Sequence, residues 1–175
     1  MMKYNHFEID EMLDSMVITY DTREQQTAKL KRRLKGFGCP VERKKLNFGD
    51  YSCCYTDTDG NKVYCDDLVA IERKMSLDEL CACFCKGRQR FEREFLRAKQ
   101  SGAKIHLLVE DGDYEKLFGG EYRSQLNPNS LIASYLAWAE RYEIQLHFCR
   151  EETTKLLIPK ILKYWLKNHL EQMEE

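Results

Sequence analysis

The passage from Leu68-Val69-Ala70-Ile71 straight into Glu72-Arg73-Lys74 constrains this chain more than any other stretch. An apolar run of this length, preceded by Asp66-Asp67 and ended by charges, reads as a buried strand. Side chains alternate along a strand, so Glu72 and Lys74 share one face and Arg73 points to the other. An acid and a lysine at the end of a buried strand are costly unless both find partners. A metal ion and a substrate phosphate are partners of the required charge, as in a metal-dependent phosphodiesterase. Gly49-Asp50 upstream and Asp78 downstream add two carboxylates to the same reading.

Other blocks keep a fixed order around this strand. Ile18-Thr19-Tyr20 leads into Asp21-Thr22-Arg23-Glu24, and Gly87-Arg88 with a basic helix precedes the strand Ile105 to Glu110. Together with Gly49-Asp50 and Glu72-Arg73-Lys74-x-x-x-Asp78, these blocks resemble the XPF-type nuclease domain of structure-specific DNA endonucleases, over residues 16–110. The resemblance implies an α/β, restriction-endonuclease-like core and a metal-dependent endonuclease acting on branched or flapped DNA in repair, recombination or replication. Asp50, Glu72, Lys74 and Asp78 are the expected catalytic set. Asp50 and Glu72 are the primary metal ligands, with the Ile71 carbonyl and Asp21 as further contacts, and Mg²⁺ or Mn²⁺ suits such oxygen donors. By the same resemblance Glu24 shapes the site, and Arg23, Arg73, Arg88 and Arg90 meet the substrate. Each has a plainer alternative: Asp21 as a helix cap, Asp78 as a first-turn acid favouring the helix dipole, Arg73 as an ion-pair partner beyond the sheet.

The chain departs from the family pattern in three places. The interval between Asp50 and Glu72 is long and contains the turn-rich Thr56–Asn61 segment, and Glu92 stands where family members often carry Gln. No room remains before Glu175 for a paired helix-hairpin-helix module, so a stand-alone domain of the bacterial or phage kind is expected. Its partners would be DNA and either a second copy or another subunit that supplies substrate recognition.

With 175 residues, 43% hydrophobic and 33% charged, one domain over 1–175 is expected, residues 1–15 being a loose lead-in. No apolar run is long enough to cross a membrane and no signal-peptide pattern opens the chain, so a cytoplasmic protein is expected. Its eight cysteines then read as reduced thiols. Cys81, Cys83 and Cys85 fall in a helical stretch at a spacing that turns them different ways, unlike a zinc site. The formal net charge of −1 argues little for nucleic acid, but its distribution does. Eight Lys and Arg lie between Lys29 and Lys45 against Glu42 alone, and seven between Lys86 and Lys104 against Glu92 and Glu94. A non-catalytic DNA-binding scaffold with the same fold is the main competing reading, and a cysteine-rich zinc or redox protein a weaker one.

Strands are expected at 16–20, 41–46, 50–55, 63–74, 104–110 and 144–148, separated by helices, which implies a mixed central sheet flanked by helices. Helices are expected at 23–35, from Ser76 with an interruption at Gly87, at 130–142 and at 153–170. A regular hairpin about Asp59-Gly60 would set Asp50 opposite Val69, so a bulge or kink near Asp66-Asp67 is required to bring Asp50 to Glu72.

Overall fold

The computed structural model describes residues 3–173. In chain order its elements are α1 (His6–Asp14), β1 (Val17–Asp21), α2 (Ala28–Lys35), β2 (Val41–Lys44), β3 (Tyr51–Thr56), β4 (Lys62–Tyr64) and β5 (Val69–Lys74). Then follow α3 (Leu77–Phe84), α4 (Arg88–Ser101), β6 (Lys104–Glu110), α5 (Tyr114–Gly119), α6 (Pro128–Tyr142), β7 (Gln145–Cys149) and α7 (Glu151–Gln172). One seven-stranded sheet runs β2-β1-β3-β5-β6-β7, with β4 pairing off β3. β3 is antiparallel to both β1 and β5, whereas β5, β6 and β7 run parallel, so the sheet is mixed as expected.

Strand alternation divides the core into two layers. Val69 and Ile71 pack with Leu108 among residues of α1 and α7. Ala70 packs with Ile105, Leu107 and Val109 among residues of α3, α4 and α6. The same alternation, continued to the end of β5, sends Glu72 and Lys74 toward α3 and α4 and Arg73 toward α7. Around the second layer, Phe84, Phe91, Phe95 and Tyr142 surround Trp138 with ring centroids 4.9, 5.6, 6.0 and 5.7 Å away. Trp138→Ala empties that cluster and should cost about 3–5 kcal/mol, read as a lower urea midpoint with unchanged slope.

The required break in the long hairpin is present. β3 and β4 pair as Cys54↔Tyr64 and Tyr55↔Val63, a register that would face Asp50 with Leu68 if continued. Instead the amides of Leu68 and Val69 both donate to the Cys65 carbonyl, at 2.8 and 2.9 Å, closing a tight turn. Pairing resumes as Tyr51↔Ile71, which brings Asp50 beside Glu72. The slide from Leu68 to Glu72 is an even number of residues, so β5 keeps its buried faces while its charged end moves to the site.

Two expectations are corrected. The stretch read as a loose lead-in forms α1, with a reciprocal Asn5–Glu8 capping box and Ile9, Met12 and Leu13 buried against α7; Met1 and Met2 lie outside the described residues. Residues 23–27 are not helical: α2 begins only after its cap Thr27, because Asp21 holds Arg23 in a turn.

Candidate active site

The site is built where β1, β3 and β5 end together. Asp50 is fixed on three sides by backbone: its amide donates to the Ile71 carbonyl at 2.8 Å, its carbonyl accepts from Asp21 N–H at 2.9 Å, and its Oδ2 accepts from Arg73 N–H at 2.8 Å. Gly49 makes this approach possible. It sits at φ 72°, and a Cβ there would stand 2.9 Å from Ala70 Cβ and 3.2 Å from the Ile71 oxygen.

Glu72 and Lys74 are 7% and 8% exposed and form an ion pair with each other. The Lys74 ammonium also lies 4.9 Å from the centroid of Phe91. Burial and the neighbouring Glu72 push the Asp50 carboxyl well above the usual carboxylate range, though Lys74 opposes them. Burial alone would lower Lys74, but Glu72 and Asp50 outweigh it and hold the ammonium above the ordinary lysine value. Beside ionised Glu72 and Asp50, Lys74 is therefore held as a charged donor.

Behind the strand, Arg73 Nη1 donates to Glu110 Oε2 at 2.9 Å and Thr154 Oγ1 donates to Glu110 Oε1 at 2.7 Å. Arg33 comes within 3.9 Å of Glu110 and donates to the Tyr51 hydroxyl at 2.8 Å, and that hydroxyl donates to Glu24 at 3.4 Å. The network ties α2, β3, β5, β6 and α7 together directly under Asp50. Glu110→Gln removes the counter-charge of the mostly buried Arg73 and one of the two acids beside Arg33. It should cost about 3 kcal/mol, measured by chemical denaturation.

Asp50, Glu72 and Lys74 line one cleft of about 790 Å³, together with Arg23, Glu24, Arg73 and Arg90. The remaining sequence candidates are placed differently. Both oxygens of Asp21 are engaged, Oδ1 by the amide and Nε of Arg23 at 2.7 Å and Oδ2 by Leu46 N–H at 2.7 Å, so it braces the loops rather than facing the cleft. Burial pushes Asp21 up, but the Arg23 and Leu46 hydrogen bonds prevail and hold it below the usual value. Asp78 is not gathered with Lys74; it accepts from the amide and Nε of Arg123 at 2.7 and 3.0 Å. Arg88 lies 5.1 Å from the Trp138 ring and donates to Ser134, away from the acids. The sequence reading passed over Arg33, Tyr51, Phe91 and Glu110. Glu110 ends an apolar strand just as Glu72 does, and the same rule would have singled it out.

Antiparallel β3 and parallel β5 deliver two carboxylates and a lysine to one edge cleft, and that arrangement on a mixed sheet is the restriction-endonuclease-like core. The chain belongs to the ERCC4 domain family of nucleases, whose model matches residues 20–158. No curated relative matches it in sequence. Among solved structures it is similar to XPF from Aeropyrum pernix, with a TM-score of 0.60 and 23% identity over 85% of this chain and 61% of that one. XPF from Aeropyrum pernix in complex with DNA gives a TM-score of 0.59 and 21% identity, over 87% of this chain and 66% of that one. The chain thus spans about three-fifths to two-thirds of those proteins' lengths.

Proposed function

We propose that the protein is a divalent-cation-dependent DNA endonuclease that hydrolyses phosphodiester bonds in branched or flapped DNA. The placement of Asp50, Glu72 and Lys74 in one cleft carries the proposal. Membership of the ERCC4 domain family supports it, and the DNA-bound structure of a relative with this fold supports DNA as the substrate.

The residues present fit a hard cation. Among the described residues no three His, Cys, Asp or Glu side chains gather into a ready cage. The donors in the cleft are the Asp50 and Glu72 carboxylates, oxygens that suit Mg²⁺ or Mn²⁺ retaining several waters, whereas the Ile71 carbonyl already accepts from the Asp50 amide. The Asp50 carboxyl, raised by burial and then by Glu72, points the same way, since a cation would relieve the cost of charging it there. When bound, such an ion lowers the pKa of water and offsets phosphate charge. The chain's own groups do the rest. Lys74 donates to the phosphate oxygen on which negative charge builds, Arg23 and Arg90 hold the phosphates in the cleft, and the Arg73 amide keeps Asp50 aimed. A second copy or a partner subunit that selects the DNA structure belongs to the same proposal.

The test is cleavage of labelled flap, fork, Holliday-junction, duplex and single-stranded DNA with Mg²⁺, Mn²⁺ or EDTA. Cation-dependent cutting confined to the junction substrates is the expected result. Binding without cutting under every condition would point to a scaffold instead.

A further inference from the structure

A second groove of about 790 Å³ runs along α7, between it, α1 and the turn at Phe37–Cys39. Its α7 wall carries Lys155, Lys160, Lys163 and Lys167. At about 1.5 Å rise per residue these ammonium groups are spread over roughly 18 Å of helix. Leu156 and Tyr164 lie among them, 56% and 68% exposed. The opposing acids are Asp10 and Asp14 from α1, and only Asp14 approaches a lysine, Lys163, at 3.9 Å with both side chains open to water. The groove is thus cationic in a chain whose formal net charge is −1.

Both the chemistry and the position suggest one occupant. Lysines interleaved with an exposed aromatic ring are what an unpaired strand requires: cations for the backbone and a flat face for a base. A duplex keeps its bases stacked and has no use for Tyr164. The same helix, α7, also lines the catalytic cleft. Glu151 in the first turn of α7 lines that cleft, Thr154 donates to Glu110 of its wall, and Lys155, the next residue, lines the groove. We infer that the α7 groove is a track for the single-stranded arm of the substrate, leading it away from the cleft. This rests on reading the cleft as that of a DNA endonuclease.

The track is tested by fluorescence anisotropy in Ca²⁺, with a labelled duplex bearing an oligothymidine flap and the same duplex without it. The proteins are the unmodified chain, Lys160→Ala/Lys163→Ala/Lys167→Ala, and Tyr164→Ala. All the altered side chains are exposed, and circular dichroism checks their folding. The triple variant should bind the flapped duplex about 10-fold more weakly and lose about 2 from its log–log salt slope. Tyr164→Ala should weaken flap binding about 5-fold with the slope unchanged, and Tyr164→Phe should restore it. Affinity for the duplex without a flap should not move in any variant. Flap binding that survives both changes overturns the track alone. So does an equal loss on both DNAs, which marks a general cationic surface, or capture of a poly-glutamate peptide in preference to the flap, which marks a protein partner. An unmodified chain that binds neither DNA overturns the proposed function and the track with it.

Discussion

Asp50→Asn should abolish cutting and at the same time make the protein harder to unfold. The loss of activity follows from the site: Asp50 is one of the two cleft carboxylates proposed to hold the cation, and a neutral amide there should slow hydrolysis about 10³-fold or more. The gain in stability follows from its environment. Asp50 is held beside Glu72 with its carboxyl pushed well above the usual range by burial and by that neighbour. A carboxyl that binds its proton more tightly when folded supports the fold at low pH, and withdraws that support as pH rises from the ordinary carboxylate range through the raised value. At neutral pH without a cation, the fold therefore lacks the support that this carboxyl gives it at low pH. Asn removes the charge and keeps an oxygen for the Arg73 amide, so a gain of about 1–3 kcal/mol is expected. Mg²⁺ should raise the melting temperature of the unmodified protein and leave that of the variant unchanged. Thermal unfolding with and without Mg²⁺ checks both statements without any assay of activity.

Gly49→Ala should damage both the fold and the site, although it adds only a methyl group. The backbone at φ 72° lies in the left-handed region, where a side chain costs about 1–2 kcal/mol. The new Cβ would also stand 2.9 Å from Ala70 Cβ and 3.2 Å from the Ile71 oxygen, and neither is the end of a flexible side chain. Either β5 moves away or the Gly49-Asp50 corner lifts, and both separate Asp50 from Glu72. The combined cost should be about 2–4 kcal/mol, with cutting reduced at least 10-fold in the molecules that remain folded. Gly102, at φ 73° with nothing close to its missing Cβ, provides the control. Gly102→Ala should show the conformational part alone, with activity intact.

The sequence revealed most where one short rule covered the chemistry. The apolar run ending in Glu72-Arg73-Lys74 had both its buried faces and its divided charges in its alternation, and the structure sends Glu72 and Lys74 one way and Arg73 the other. The register break was legible as a necessity, because Asp50 and Glu72 could not otherwise meet. Its form, two amides on the Cys65 carbonyl, depends on the backbone and left no mark in residue type. Contacts between distant elements were hidden. Asp78 was expected in the site from its place in the family motif, but in the structure it pairs with Arg123, from the loop before α6. The network of Arg33, Tyr51, Glu24 and Glu110 draws on α2, β3, β6 and the loop after β1, which no local pattern joins. His106 and His147, forty-one residues apart in the chain, face each other across β6 and β7 with ring nitrogens 2.9 Å apart.

The most direct measurement is single-turnover cleavage of a saturating flapped duplex in Mg²⁺ by the unmodified chain, Glu72→Gln and Lys74→Met, with near-ultraviolet circular dichroism to confirm each fold. The expected result is Mg²⁺-dependent cutting by the unmodified chain that falls at least 10²-fold in both variants while DNA affinity stays within a few-fold. Cutting that persists in either folded variant would show that the hydrolysis is carried out somewhere other than the cleft of Asp50, Glu72 and Lys74.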